Sequence, residues 1–257
     1  MQLKCVLTAT NDNELYSDFI PIFVESYKKL MPDVLVRIIF VGKEIPEKYN
    51  KYRDNLILFT QPSWISSAFV SQYIRLLYPA LLKIDGGIMI TDIDMIPMNK
   101  NYYIDSISDV DDSMFFCYRD ALHLECCQIP MCYNIATANT WSKIFHIKTL
   151  EDVEQRLNIV DFKINYEERH GGLGWSTDQE HLFLSINKYE NENNEKIFIY
   201  KTDEETKFNR LCRDDEASRS LPENVKQNIK NHKYTDYHLN RPMSKYDSLN
   251  WQIFYLL

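Results

Sequence analysis

Short apolar runs at residues 3–9, 34–42, 55–60 and 88–92 alternate with stretches of helical periodicity, and no other feature of the sequence restricts the fold as tightly. Each run is β-branched, too short for a buried helix, and bounded by polar or proline-containing loops, as expected of a strand. Leu15, Phe19, Phe23, Tyr27 and Leu30 recur at helical spacing, with Pro21 admissible only in a first turn or at a kink. Phe69, Tyr73, Leu76, Leu77 and Leu81 form one broad apolar face over residues 66–83. Strands alternating with helices predict an α/β fold with a largely parallel sheet. Further strands are expected at 113–118, 128–137 and 196–200, and helices at 139–145, 149–157 and after the glycine-rich stretch 169–175. The polar run KYENENNEK, 188–196, reads as a surface loop. With 257 residues, no internal repeat and no linker, a single domain over 1–257 is the expectation.

The net charge of −8 argues against a nucleic-acid backbone or an anionic membrane as the main partner, because both need a basic face. An anionic small molecule remains compatible with local cations. Cysteines 5, 117, 126, 127, 132 and 212 lack paired CxxC spacing and sit mostly in apolar runs, which suits packed thiols better than zinc ligands or a disulfide frame. The N-terminal apolar run is too short for a signal peptide, and no window approaches a membrane span, so cytoplasmic residence is expected.

The run GGIMITDIDMIPM, 86–98, delivers Asp92 and Asp94 to the end of an apolar strand. Side chains at i and i+2 of an extended chain point the same way, so the two carboxylates are expected to project together while Ile93 returns to the core. Two such charges repel unless a cation lies against them, which points to a divalent metal. The carboxyl end of a strand is also where open α/β sheets place ligands. By itself Asp-x-Asp equally describes hydrogen-bonded aspartates in a solvated turn.

The longer segment SSAFVSQYIRLLYPALLKIDGGIMITDIDMIPMN, 66–99, resembles GT-A glycosyltransferases of the glycogenin and bacterial galactosyltransferase type, in which a YxRLxxPxLL helix precedes a hydrophobic strand ending in Asp-x-Asp. The resemblance implies a Rossmann-like GT-A fold with a mixed, mostly parallel sheet flanked by helices. It also implies a nucleotide-sugar donor, a UDP-sugar first of all, a glycan or other hydroxyl acceptor, and Mn2+ or Mg2+ on the diphosphate. A hard cation bridging the phosphates neutralises the leaving group, and oxygen ligands suit these two ions. Carried over by position, Asp94 binds the metal most directly, Asp92 approaches the ribose or the metal, and Arg75, with Gln72 one turn earlier, contacts the donor.

The segment YTDYHLNRPMSKY, 234–246, resembles the closing histidine motif of that family, which makes His238 a third metal ligand and Arg241, with Lys245 beyond it, a cation for the diphosphate. It departs from the family pattern in lacking glycine between these positions and in having Arg, not Lys, before Pro242. MCYNIATANTW, 131–141, resembles the family strand whose asparagine, here Asn134, touches the sugar, without the usual glycine. The first loop, through Thr8, Thr10 and Asn11, is where this fold receives the nucleotide base.

In GWSTDQEHLFLSI, 174–186, Ser176 with Gln179 or Thr177 with Glu180 makes a capping box that places Asp178 in a first helical turn. Asp178 is then a dipole-stabilising residue or, as the resemblance implies, an acceptor-site carboxylate: a base in an inverting enzyme or a sugar contact in a retaining one. His170, Gly171, Gly172 and Gly174 form a candidate lid. Two other readings stand beside the transferase: a phosphohydrolase of the haloacid dehalogenase type, which also ends a strand in Asp-x-Asp, and a non-catalytic sugar-binding module.

Overall fold

The computed structural model describes residues 1–119, 126–160 and 165–257. Strands β1 (Leu3–Asn11), β2 (Leu35–Val41), β3 (Leu56–Phe59) and β4 (Gly87–Ile90) run parallel in the order β3-β2-β1-β4. Three further strands complete the other side of this sheet. A short β5 (Met95–Pro97) leads away from it, and β6 (Phe115–Cys117), β7 (Asn134–Thr137) and β8 (Phe198–Tyr200) extend it in the order β4-β7-β6-β8. β7 is antiparallel to both β4 and β6, whereas β8 is parallel to β6. β5 belongs to a second sheet with β9 (Arg210–Leu211) and β10 (Asp236–His238), in the order β5-β10-β9.

The two faces of β1 fill two cores, as the two-residue period of a strand requires. Val6 packs toward the Ile20–Leu30 helix and the second sheet, while Cys5, Leu7 and Ala9 pack toward the Ser67–Leu77 helix. Pro21 sits in the first turn of its helix, where its missing N–H costs nothing. The Ser67–Leu77 helix starts where Ser66 Oγ accepts from Phe69 N, and it buries Phe69, Tyr73, Leu76 and Leu77. Pro79 follows at the head of a single tight turn, Tyr78–Leu81. Gly86, at φ +126°, turns the chain into β4, and a Cβ there would meet the Lys4 side chain at 2.5 Å.

Several expectations are corrected. Strand β4 stops at Ile90, and Asp92 to Asp94 form a turn closed by Met95 N donating to Asp92 O at 3.3 Å. Ile93 does return to the core, through a turn geometry and not through strand alternation. Residues 128–133 are not strand: Ile129 N donates to Gln179 O, Pro130 has no N–H to offer a ladder, and β7 begins only at Asn134. The polar run 188–196 is mostly the last turns of the Thr177–Asn193 helix, held by that helix's own backbone ladder. β5, β9, β10 and the Met243–Leu256 helix were not anticipated. Among the described residues no helix is long and apolar enough to cross a membrane.

Trp141 locks β4 to the helix that follows β7. Its fully buried ring stands edge-on to Phe115 at 4.9 Å, and its indole N–H donates to Ile88 O at 3.2 Å. Trp141→Ala is expected to cost about 3–5 kcal/mol of unfolding free energy, read from the urea midpoint at unchanged m-value.

Candidate active site

Strands β2 and β3 succeed β1 on one side while β4 lies on its other side, so the chain reverses its strand order between β1 and β4. The carboxyl ends of strands diverge at such a point and leave a crevice. A cleft of about 1060 Å³ opens there, lined by Thr10 and Asn11 from the end of β1, Gln72 and Arg75 from the Ser67–Leu77 helix, and Asp92 and Asp94 from the β4–β5 turn.

Arg75 is only 6% exposed. Its Nη1 donates to Thr91 O at 3.1 Å and to Asp92 Oδ1, its Nη2 to Asp178 Oδ2 at 3.1 Å, and its Nε to Gln72 O at 3.1 Å. Burial would lower its pKa, but Asp92 and Asp178 outweigh that and hold it above its ordinary value.

Asp178, 1% exposed, lies in the first turn of the Thr177–Asn193 helix as predicted. The expected capping box does not form, since Ser176 is the N-cap and makes no side-chain cap bond. Instead Asp178 Oδ1 accepts from Gln179 N at 2.9 Å and from Gln72 Nε2 at 3.4 Å. Burial pushes the Asp178 carboxyl up to about 7, opposed by Arg75 and helped by Asp92.

Asp94 is built differently. The second sheet sets His238 opposite Met95, and Leu239 N donates to Asp94 O at 2.9 Å, so the imidazole meets the carboxylate by strand register. His238 Nε2 is 3.3 Å from Asp94 Oδ2, Arg213 Nη1 donates to the same oxygen at 2.8 Å, and Arg241 Nη1 stands 4.0 Å away. Burial favours the neutral acid, but His238 and Arg213 overcome it and hold the Asp94 carboxyl well below the usual range. It is ionised at neutral pH.

Asp92, Asp94, Asp178, Gln72, Arg75, Thr10, Asn11, His238 and Arg241 thus meet in one cleft. Thr8, Asn134 and Lys245 do not line it. Thr8 is fully buried within β1. Asn134 Nδ2 donates to Pro130 O at 2.6 Å and Met131 O at 3.2 Å, so this side chain braces the loop that carries the lining residues Pro130, Met131 and Cys132. Lys245 is exposed over the Tyr246 ring, and Tyr246 is the residue that reaches the cleft. His170 and Gly171 line the rim, and Asn13 Nδ2 ties Glu168 to the first loop at 2.9 Å.

The sequence reading missed Arg213, Arg119, Arg210 and Tyr16. Arg119 forms a two-point pair with Asp203 at 3.1 and 2.7 Å and lies over the Phe208 ring, while Arg210 grips the buried Asp236 at 2.6–3.1 Å. Tyr16 OH accepts from Arg241 Nη1 at 2.8 Å. The arginines carry no local pattern that marks them in the sequence.

Asp94 Oδ2 and His238 Nε2 fit a small divalent ion. Their 3.3 Å separation is close to the ~3 Å between adjacent ligands of an octahedral ion with ~2.1 Å bonds. Asp92 is engaged by Arg75, and among the described residues no group of three or more His, Cys, Asp or Glu is arranged to hold a metal. The pair suits an ion that takes its other ligands from phosphate and water.

No protein-family model matches the sequence, and no curated protein sequence does. Solved structures do match. The glycosyltransferase GlyE of Streptococcus pneumoniae TIGR4 aligns with a TM-score of 0.52 at 13% identity, over 99% of this chain and 60% of that one. This chain therefore spans 60% of that protein's length. The galactosyltransferase LgtC, solved with donor and acceptor sugar analogues, aligns at 0.47 and 12% identity over 96% of this chain and 95% of that one. A glycosyltransferase involved in glycosylation of the major capsid of PBCV-1 aligns at 0.45 and 10% identity over 97% and 99%. The fold is the GT-A fold, with the mixed, mostly parallel sheet that the 66–99 resemblance implies.

A carboxyl whose pKa is raised by folding keeps a proton that the unfolded chain has released. The stability contributed by Asp178 is therefore fully present below about pH 4 and lost as the pH rises through about 7. The depressed Asp94 acts in the opposite sense and at lower pH. In chelator-treated protein, unfolding free energy is expected to fall more steeply between about pH 4 and 7 in the wild type than in Asp178→Asn. Denaturant titrations across that range measure the difference, and identical slopes would remove Asp178 as its source.

Proposed function

We propose that this chain is a metal-dependent glycosyltransferase that moves a sugar from a nucleotide-diphosphate sugar, UDP-linked in the first instance, to a hydroxyl of a glycan or other acceptor. The observation that carries the reading is the meeting of Asp94, His238 and Arg241 at the β1–β4 switch point of a GT-A fold. Fold alone would not specify the activity. The chemistry of this donor set supports the reading.

Asp94 and His238 would hold Mn2+ or Mg2+, whose positive charge stabilises the departing diphosphate. Arg241, steadied by Tyr16, offers a guanidinium beside them for a phosphate oxygen. Thr10 and Asn11, at the carboxyl end of β1, lie where the base and ribose enter. Asp92 is fixed by Arg75 at the turn between the metal side and the sugar side of the cleft.

Asp178 faces the transferred sugar from the opposite wall. Both its oxygens already accept bonds from the chain, which favours orienting the sugar over withdrawing an acceptor proton. That in turn favours retention of anomeric configuration, and NMR of the product reads it directly. Action in the cytoplasm is part of the same proposal.

The test is a panel of sugar nucleotides with Mn2+, scored by nucleotide release with and without acceptor hydroxyls. Release from one or two donors is expected, abolished by chelator and reduced at least ~100-fold in Asp94→Asn. Equal turnover in the variant would contradict the role of Asp94. Phosphate release from simple phosphomonoesters would favour a hydrolase, and donor binding without turnover a binding module.

A further inference from the structure

Asp94 Oδ2 has more than one claimant. Arg213 Nη1 donates to it at 2.8 Å, nearer than His238 at 3.3 Å and Arg241 at 4.0 Å. Arg213 rides on the turn beyond β9, closed by Asp215 N donating to Cys212 O at 3.1 Å. β9 pairs with β10, and Leu211 lies opposite Tyr237, so this turn runs beside His238. The guanidinium lines the cleft, and its backbone carbonyl accepts from Arg219 Nε at 3.1 Å. Arg241 is held elsewhere, by Tyr16. Arg213 is the cation that Asp94 itself holds.

One carboxylate oxygen cannot keep a guanidinium at hydrogen-bond distance and also ligate a divalent ion at ~2.1 Å, because two like charges would then be pressed together in a partly dry cleft. Resting on the reading of Asp94 as a cation ligand, we propose that Arg213 is its exchangeable counterion. It neutralises Asp94 until a metal arrives, then yields that oxygen and turns its guanidinium to the diphosphate that accompanies the metal.

Charge decides why the two must arrive together. With two arginines standing against it, Asp94 has no unbalanced negative charge of its own to offer a bare ion. A bare divalent ion adds two positive charges there, whereas an ion carrying the two negative charges of a nucleotide-sugar diphosphate adds none. Metal and diphosphate therefore bind as a cooperative unit, and by linkage each tightens the other equally. Arg213 is the residue that enforces the pairing, by raising the cost of metal alone and rewarding the diphosphate.

The test measures Mn2+ binding, by the electron paramagnetic resonance signal of free Mn2+, with and without uridine diphosphate. Wild type is expected to bind Mn2+ weakly alone and about 5- to 100-fold more tightly with the nucleotide. Arg213→Met should bind Mn2+ alone several-fold more tightly than wild type and lose most of the nucleotide's gain. Asp94→Asn should lose binding in both conditions. If the methionine variant fails to fold by thermal melting, Arg213→Gln, uncharged but still a donor, carries the same comparison. The deciding quantity is Mn2+ affinity without nucleotide. An affinity equal to that of wild type overturns the exchange and leaves Asp94 as a ligand, whereas no Mn2+ binding to wild type in either condition overturns both.

Discussion

A single buried guanidinium holds the cleft together. Arg75 interrupts the apolar face of its helix, and a charge at 6% exposure is tolerable because each of its three nitrogens meets an acceptor. Those acceptors come from four places: the Gln72 carbonyl in its own helix, the carbonyl just beyond β4, Asp92 in the following turn, and Asp178 at the start of a helix about a hundred residues later. Without it, two carboxylates would face each other, one of them deep in the protein. Gln72, which donates to Asp178 Oδ1, and Tyr73, whose hydroxyl meets His181 Nδ1 at 2.7 Å, tie the same two helices beside it.

The other half of the site depends on the small second sheet. Its strands are two or three residues long, yet their register sets His238 against Asp94 across 144 positions and brings in Arg213 across 119. The cations of an acidic chain are concentrated in this way on one side of the cleft. Arg119 and Arg210 are held by Asp203 and Asp236 and are already neutralised, while Arg213 and Arg241 converge on one carboxylate between them. The second pair is the one placed to meet an anionic ligand beside Asp94.

How much of this was legible depended on run length. The strands β1 to β4 and the helix at 67–77 are long or apolar enough to declare their period, and they fix the fold class. Asp92, Asp94, Arg75 and His238 stood out because each sits in an ordered pattern with its neighbours. Arg213 did not, because an arginine in the polar stretch NRLCRDD has no local signature. Thr8 was misplaced by one strand period, since Thr8 and Thr10 share a face of β1 and only the strand's end reaches the cleft. Asn134 was displaced from the site because its amide is needed to brace a loop beginning at Pro130, a residue that cannot join a ladder.

The sequence by itself determined the alternation of strand and helix, the delivery of two aspartates to the end of β4, and the placing of Asp178 in a first helical turn. These follow from periodicity and short-range pattern over a dozen residues, which no distant contact needs to supply. Only the tertiary structure decided that Asp92 faces Arg75 while Asp94 faces His238 and Arg213. Which counterion a buried carboxylate receives is a matter of angstroms between segments far apart in the chain, and Coulomb energy in a cleft depends on those distances and not on sequence spacing.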